Sequence, residues 1–481
     1  MGLRPTIVSA LLFGLAANVS GESPKIGDHP RVKTAIGLLE AWTDAKQAYE
    51  DIPGVSFAVV HDQELLWARG FGDAHRETKV PAATDTIYSI CSISKLFTAS
   101  AVLQLRDAGK LRLDDPVVEH LPWFDIEQTY QDTSPITIRG LLTHSAGLPR
   151  ESDHPYWTFP DFEFPTREEI IERISHQKTL YPAERYFQYS NLGLTLAGET
   201  VTAVSGVPYA EYVERHLLEP LGMTDTTPEI PKKHEGGRFA TGYSGRSRDG
   251  ARTPLVFFQT RGIAPAAGFA STVEDLARFA SWQFRLLEHG GEEILKASTL
   301  REMHRVHWVD PDWKTTWGLG YSVTRRDDKT FVGHGGSCPG FRSHLLLRPE
   351  ERFAAIVMTN AVDVDAGIFT RIAYEIVAPA LQEARESPDT PAPPDMTLYT
   401  GRYRSGFGGE IAVVPWKDTI AVVQLPSDDP KEGLVELKNV GAHVFRRIRD
   451  DGELGEEIVF DVVNEQVTRF TRHNNHYPKL P

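Results

Sequence analysis

From Val32 to Tyr49 the apolar positions Ala35, Ile36, Leu39, Trp42 and Ala45 recur at helical spacing, which predicts one amphipathic helix. The period then shortens. Val55 to Val60 and Leu65 to Phe71 flank a short polar turn at His61-Asp62-Gln63, a hairpin pattern. A second helical run spans Ser92 to Asp107, carries Ile93, Leu96, Phe97, Val102, Leu103 and Leu105, and stops at Gly109. Helices are predicted over 167–176, 191–205, 209–217 and 273–289, between loops punctuated by Pro and Gly. Strands return near 320–323, 344–347 and 353–358, and a helix near 368–383 closes the region. Strands at both ends with helices between them predict an α+β layer fold whose sheet joins the two ends.

The texture changes after that helix. Residues 386–396 are rich in proline and read as a linker. Beyond it, 399–403, 410–414, 420–423, 443–445 and 458–460 are short strands between turns, so 397–481 is predicted to form a small antiparallel barrel. The first residues have another character. Arg4, an apolar stretch from Ile7 to Ala17 and small residues up to Gly21 read as a signal peptide over 1–21. That predicts an exported protein, periplasmic or secreted, with no stable membrane insertion after cleavage. The expected organisation is therefore signal peptide, a domain over 22–385, linker and barrel.

Composition narrows the function. The 481 residues are 41% hydrophobic and 24% charged, as in a folded soluble protein of two or three domains. A net charge of -15 without a basic stretch argues against nucleic acid and anionic membranes as partners. A small molecule or short peptide is the expected substrate. The two cysteines, Cys91 and Cys338, are too few for a disulfide scaffold or a four-thiolate zinc site. His304 and His307 have a spacing that could hold metal, but no further ligand is placed to complete it. They are read as surface histidines, and no metal or cofactor is expected. Trp308, Trp313 and Trp317 are expected to pack near a cleft or in the core.

Three short motifs carry candidate chemistry. Ser92-Ile93-Ser94-Lys95 puts a hydroxyl and an amine one helical turn apart. Serine needs a neighbour to take its proton before it attacks, and a helix N-terminus offers N–H groups for an oxyanion. Tyr189-Ser190-Asn191 adds a phenol, which a nearby lysine would acidify into a base or relay. Its Asn191 could hold Lys95 and present an amide to substrate. His334-Gly335-Gly336 adds a histidine that can donate a hydrogen bond or bind a carboxylate, beside glycines that let substrate lie against a strand. Each motif alone is as well explained by capping, packing or a turn.

In combination and order, the three resemble the serine β-lactamase and penicillin-binding-protein superfamily. The stretches Tyr88 to Lys95, Ile138 to Leu148, Phe187 to Gly193 and Pro265 to Leu276 resemble most its class C β-lactamase-like branch, the S12 peptidase group. That resemblance implies an antiparallel sheet with flanking helices and a helical subdomain, followed here by a lipocalin-like barrel. It implies that Ser92 is the nucleophile, kept deprotonated by Lys95, and that Tyr189 passes the proton to the leaving group. The backbone N–H groups of Ser92 and Ser337 would form the oxyanion hole, and water would release the acyl group. Asn191, His334, Gly335, Gly336 and Ser337 would contact substrate, and His144 would be structural.

The chain departs from the pattern at His334, where many members carry a lysine. Histidine is only partly charged near neutral pH, which counts against efficient action on carboxylate-bearing β-lactams. The His-x-Gly form resembles D-aminopeptidases and related D-peptidases, so a peptidase on small peptides is expected. A short-chain carboxylesterase and a weak β-lactamase are the alternatives, with a non-catalytic scaffold behind them. The barrel resembles those that restrict an active-site mouth or mediate assembly in relatives, so a homo-oligomer is open. In this fold Cys91 and Cys338 lie on neighbouring segments. Two buried free thiols are expected, with a disulfide as the alternative.

Overall fold

The computed structural model describes residues 25–406 and 408–481, so the expected signal peptide lies outside the described residues. Its centre is an antiparallel sheet. The long strands are β1 (Gly54–His61), β2 (Glu64–His75), β3 (Ser322–Arg326), β4 (Lys329–Cys338), β5 (Phe341–Arg348) and β6 (Phe353–Thr359). They lie in the order β2-β1-β6-β5-β4-β3, with short strands extending both edges. The first and last parts of the domain thus meet in the β1–β6 pair, where Phe57 faces Val357.

Alternation decides what each sheet face holds. Ala58, Val60, Leu345, Leu347, Ile356 and Met358 point into one core. Phe57, Val59, Leu346, Phe353, Ala355 and Val357 point into the other. Central strands covered on both faces read as unbroken apolar runs, as β1 and β6 do. Helix α1 (Pro30–Tyr49) and the last long helix, Ala366–Glu386, cover the second face. The first face carries α2 (Ser94–Asp107), α3 (Asn191–Ser205), α4 (Val273–His289) and the helical lobe around them. The closing helix Ala366–Glu386 is α5.

Caps explain where the helices begin and end. Ser190 accepts a hydrogen bond from Gly193 N at 2.8 Å, and Gly206 ends α3 in the left-handed region at φ 75°. Thr272 does the same for Asp275 N at 3.1 Å at the start of α4. Ser92 is placed differently from expectation. It sits in a single 3-10 turn, Cys91–Ile93, and the α-helix begins at Ser94. Cys91, with φ at 52°, makes the sharp turn that precedes it.

The last eight strands, from Gly401–Arg404 to Asn475–Pro478, form an antiparallel sheet in sequential order. A bridge between Tyr403 and Lys479 brings the first strand to the last, giving a nearly closed barrel. Its interior is filled: Tyr399 packs on Phe445 at 4.8 Å and Tyr403 on Phe470 at 5.0 Å, with Val413, Ile420, Val422 and Leu437 between them. The alternate residues of two barrel strands, Ala412, Val414, Ala421 and Val423, face outward and join the core beside α1 and α5. Trp42 of α1 is fully buried there and donates to Ser427 O at 2.8 Å.

Candidate active site

The three sequence motifs converge on one cleft. It has a volume of about 520 Å³ and is lined by Ser92, Arg150, Tyr189, His334 to Ser337, Arg342 to His344, and Val364 to Gly367. Among the described residues, no group of three or more His, Cys, Asp or Glu is arranged to hold a metal ion.

Lys95 lies on the first turn of α2 and is completely buried. Its amine donates to Asn191 Oδ1 at 2.8 Å and Ala266 O at 2.7 Å, and it lies within hydrogen-bonding distance of Ser92 Oγ at 3.2 Å. Burial holds its pKa well below the usual lysine value; the Glu151 carboxylate pulls it back up and Arg150 pushes it down. A neutral amine 3.2 Å from a serine hydroxyl can accept that proton.

Three residues outside the motifs complete this network. Both Glu151 oxygens accept from Asn191 Nδ2, at 2.8 and 3.0 Å, and Tyr156 also donates to Glu151. Arg150 pairs with Glu151 at 3.2 Å. The amide that Asn191 was expected to present to substrate is therefore engaged with Glu151. Pro149-Arg150-Glu151 directly follows the shared stretch ending at Leu148, but nothing in its composition marks it as part of a site.

Tyr189 sits on the extended segment that enters α3. Its ring lies 4.9 Å from Lys95 Nζ and 4.8 Å from the Arg150 guanidinium. Burial raises its pKa far above the usual phenol value, against the opposing effect of its hydrogen bond with Ser92. This corrects the expectation of a lysine-acidified phenol: desolvation outweighs the Ser92 hydrogen bond and the Arg150 charge, and Tyr189 stays protonated. His144 packs on it at 4.3 Å and accepts Ser190 N–H at 3.1 Å, so it positions the tyrosine segment. Trp317 packs on His144 and His334, whereas Trp313 is 82% exposed.

On the opposite wall, β4 turns Gly335 and Ser337 to the cleft and buries His334. Burial lowers the His334 pKa to about 3, so the ring is uncharged across the working pH range. The Gly336 backbone comes close to the nucleophile turn: a Cβ there would meet Ile90 O at 2.2 Å and Ser343 Oγ at 2.1 Å. Cys91 and Cys338 are joined in a disulfide, with Cα atoms 5.7 Å apart. This corrects the expectation of free thiols, because the packing of β4 against the nucleophile turn brings the residues flanking Ser92 and Ser337 together. His304 and His307 are half-buried and engaged rather than free on the surface. His304 bonds Gln283 Oε1 at 2.9 Å and packs on Tyr321, while His307 meets Glu302 O at 3.0 Å.

Comparison with known proteins agrees with this architecture. Residues 39–376 match the family model described as Beta-lactamase. Beta-lactamase-like protein 2 of Dictyostelium discoideum is 28% identical over 366 residues, which are 72% of this chain. The chain spans 64% of that relative, less than two thirds of its length. Penicillin-binding protein 4 of Amycolatopsis lactamdurans is 26% identical over 377 residues, 76% of this chain and 96% of that protein. The octameric penicillin-binding protein homologue from Pyrococcus abyssi has the same fold, with a TM-score of 0.62 at 24% identity over 92% of this chain and 100% of that one.

Proposed function

The chain belongs to the beta-lactamase family of serine hydrolases, and from that premise we propose that it is an exported peptidase that cleaves small peptides through a Ser92 acyl-enzyme. The observation that carries the reading is the desolvated Lys95 amine 3.2 Å from Ser92 Oγ.

In this reading the neutral Lys95 takes the Ser92 proton as Oγ attacks the substrate carbonyl. The N–H groups of Ser92 and Ser337 stabilise the oxyanion. Tyr189, protonated at its phenol, hands its proton to the departing amine and recovers one from the Ser92–Lys95 pair. Water then attacks the acyl-enzyme, and the same groups return the proton to Ser92. A peptide is favoured over a carboxylate-bearing β-lactam because His334, where many members carry lysine, is uncharged. The S12-type, D-residue preference rests on the His-x-Gly form of the strand motif. Export is supported by the sequence pattern of 1–21 and by the Cys91–Cys338 disulfide, a bond that persists in oxidising compartments. Assembly into a homo-oligomer is part of the proposal, after the octameric Pyrococcus abyssi homologue.

The test compares hydrolysis of a D-alanyl anilide and a short-chain phenyl ester, with Ser92→Ala as control. Anilide cleavage that disappears in the variant is expected. Cleavage of the ester alone, again lost in the variant, would make the protein an esterase on this fold and overturn the peptidase reading.

A further inference from the structure

A second hollow lies apart from the cleft, where α4, the short helix Ala297–Met303 and the first half of β4 meet. Its volume is about 490 Å³, within the roughly 300–1,000 Å³ of small-molecule sites. The hollow and the cleft share no lining residue. Strand β4 runs from one to the other: Thr330 and Val332 line the hollow, and Gly335 and Ser337 line the cleft.

The floor of the hollow is apolar. Phe284 and Val332 belong to the core on the first sheet face, and Leu287 packs against that core. His304 forms part of the wall. Its Nε2 donates to Gln283 Oε1 at 2.9 Å, and Tyr321 donates to the same oxygen at 3.2 Å. Desolvation lowers the His304 pKa to about 3, so this ring brings no charge.

The rim is charged, and its charges do not cancel. Glu288 is paired with Arg352, and Glu350 with Arg348. Arg301 and Arg305 are left over. Arg301 donates to Leu287 O at 2.9 Å. Among the described residues neither of these two arginines forms an ion pair with a carboxylate. Two guanidinium groups at the mouth of an apolar hollow, in a chain of net charge -15, are suited to one anionic head. Glu288 and Glu350 close by repel a dianion more than a monoanion, which favours a carboxylate over a phosphate monoester.

We propose that this hollow is a second ligand site, separate from the cleft, for a small carboxylate with an apolar body. Arg301 and Arg305 hold the carboxylate, and Phe284, Leu287 and Val332 receive the body. The inference does not depend on the reaction at Ser92.

The experiment titrates the full chain with octanoate and with octanol by calorimetry, in the wild type, in Leu287→Trp and in the double variant Arg301→Gln/Arg305→Gln. The wild type is expected to bind octanoate more tightly than octanol by about tenfold or more. The double variant is expected to bring that ratio to about one by removing the charged donors. Leu287→Trp fills the hollow and is expected to weaken both ligands. Both arginines are exposed, so the double variant tests the site even where Leu287→Trp fails to fold. No octanoate binding by the wild type, or octanol bound as tightly as octanoate, overturns the proposal. Octanoate binding that survives unchanged in the double variant also overturns it, because the anion then sits elsewhere, the cleft included.

Discussion

Lys95 is the residue on which the site turns, and its environment gives a pH signature. Burial lowers its pKa, while the Glu151 carboxylate raises it. A base must be deprotonated to act, so kcat/KM should rise with pH through the lowered Lys95 pKa and level off below the ordinary lysine range. Glu151→Gln removes the anion that favours the ammonium, so the rising limb should move to lower pH. Arg150→Gln removes a cation and should move it to higher pH. A limb that stays in place in both variants would show that a group other than Lys95 controls it. His334→Gln should leave the limb unchanged, since that ring titrates near about 3. Tyr189→Phe removes the proton donor to the leaving group and should lower kcat by about 10²–10⁴, with phosphonate labelling of Ser92 retained. The Ser92, Lys95, Tyr189 and Asn191 constellation was legible in the sequence because the motifs, in their order, resemble those of the family. Glu151 was not. Its place in the site comes from a contact across 40 residues to Asn191, which no local pattern encodes.

At the scale of elements, the site depends on how closely β4 approaches the turn that carries Ser92. Gly336 allows that approach, because a Cβ would strike Ile90 O and Ser343 Oγ. Gly336→Ala should cost about 1–3 kcal/mol by overpacking and should lower kcat more than it raises KM. The disulfide holds the same junction. It joins Cys91, whose φ of 52° is unfavourable for a residue with a side chain, to the residue after Ser337. Loss of such a bond removes about 2–5 kcal/mol of stability. A shift of the oxyanion donors by about 1 Å can slow the chemistry by about a hundredfold. Reduction, or the Cys91→Ser/Cys338→Ser pair, should therefore lower both the melting temperature and kcat. A melting temperature that falls while kcat is kept would limit the bond to a structural role. Helices α3 and α4 were legible to their ends because Ser190, Thr272 and the glycines at 206 and 290 cap them. The closeness of β4 to the nucleophile turn was legible only through the family resemblance, because no local pattern ties segments 247 residues apart.

At the scale of the whole molecule, the chain places its barrel and its cleft on different parts of the catalytic layers. The cleft is lined by Ser92, Arg150, Tyr189, the β4–β5 hairpin and residues 364–367, and among the described residues none of the barrel lines it. The barrel instead docks on α1 and α5 through Ala412, Val414, Ala421 and Val423. Five of its eight strands were legible from apolar content. Val435–Gly441, Gln466–Arg472 and Asn475–Pro478 were not, because their exposed, polar positions hide the alternation. The outward apolar face of Glu410–Trp416 had no visible purpose until α1 was seen against it. Docking should therefore govern stability rather than chemistry. Trp42→Ala deletes a fully buried indole that packs on Phe369 at 5.3 Å and bonds Ser427 O. It should cost about 3–5 kcal/mol. Val414→Asp places a charge in the same interface from the barrel side and should destabilise the protein without altering α1. Measured well below the melting temperature, kcat/KM of both variants should match the wild type. Helix α5 touches both regions, with Ala366 and Gly367 at the cleft and Arg371 paired to Asp429 near the barrel at 3.9 Å. A fall in kcat/KM in a fully folded Val414→Asp variant would mean that α5 carries the state of the barrel to the cleft, and that the two halves of the chain are coupled rather than only joined.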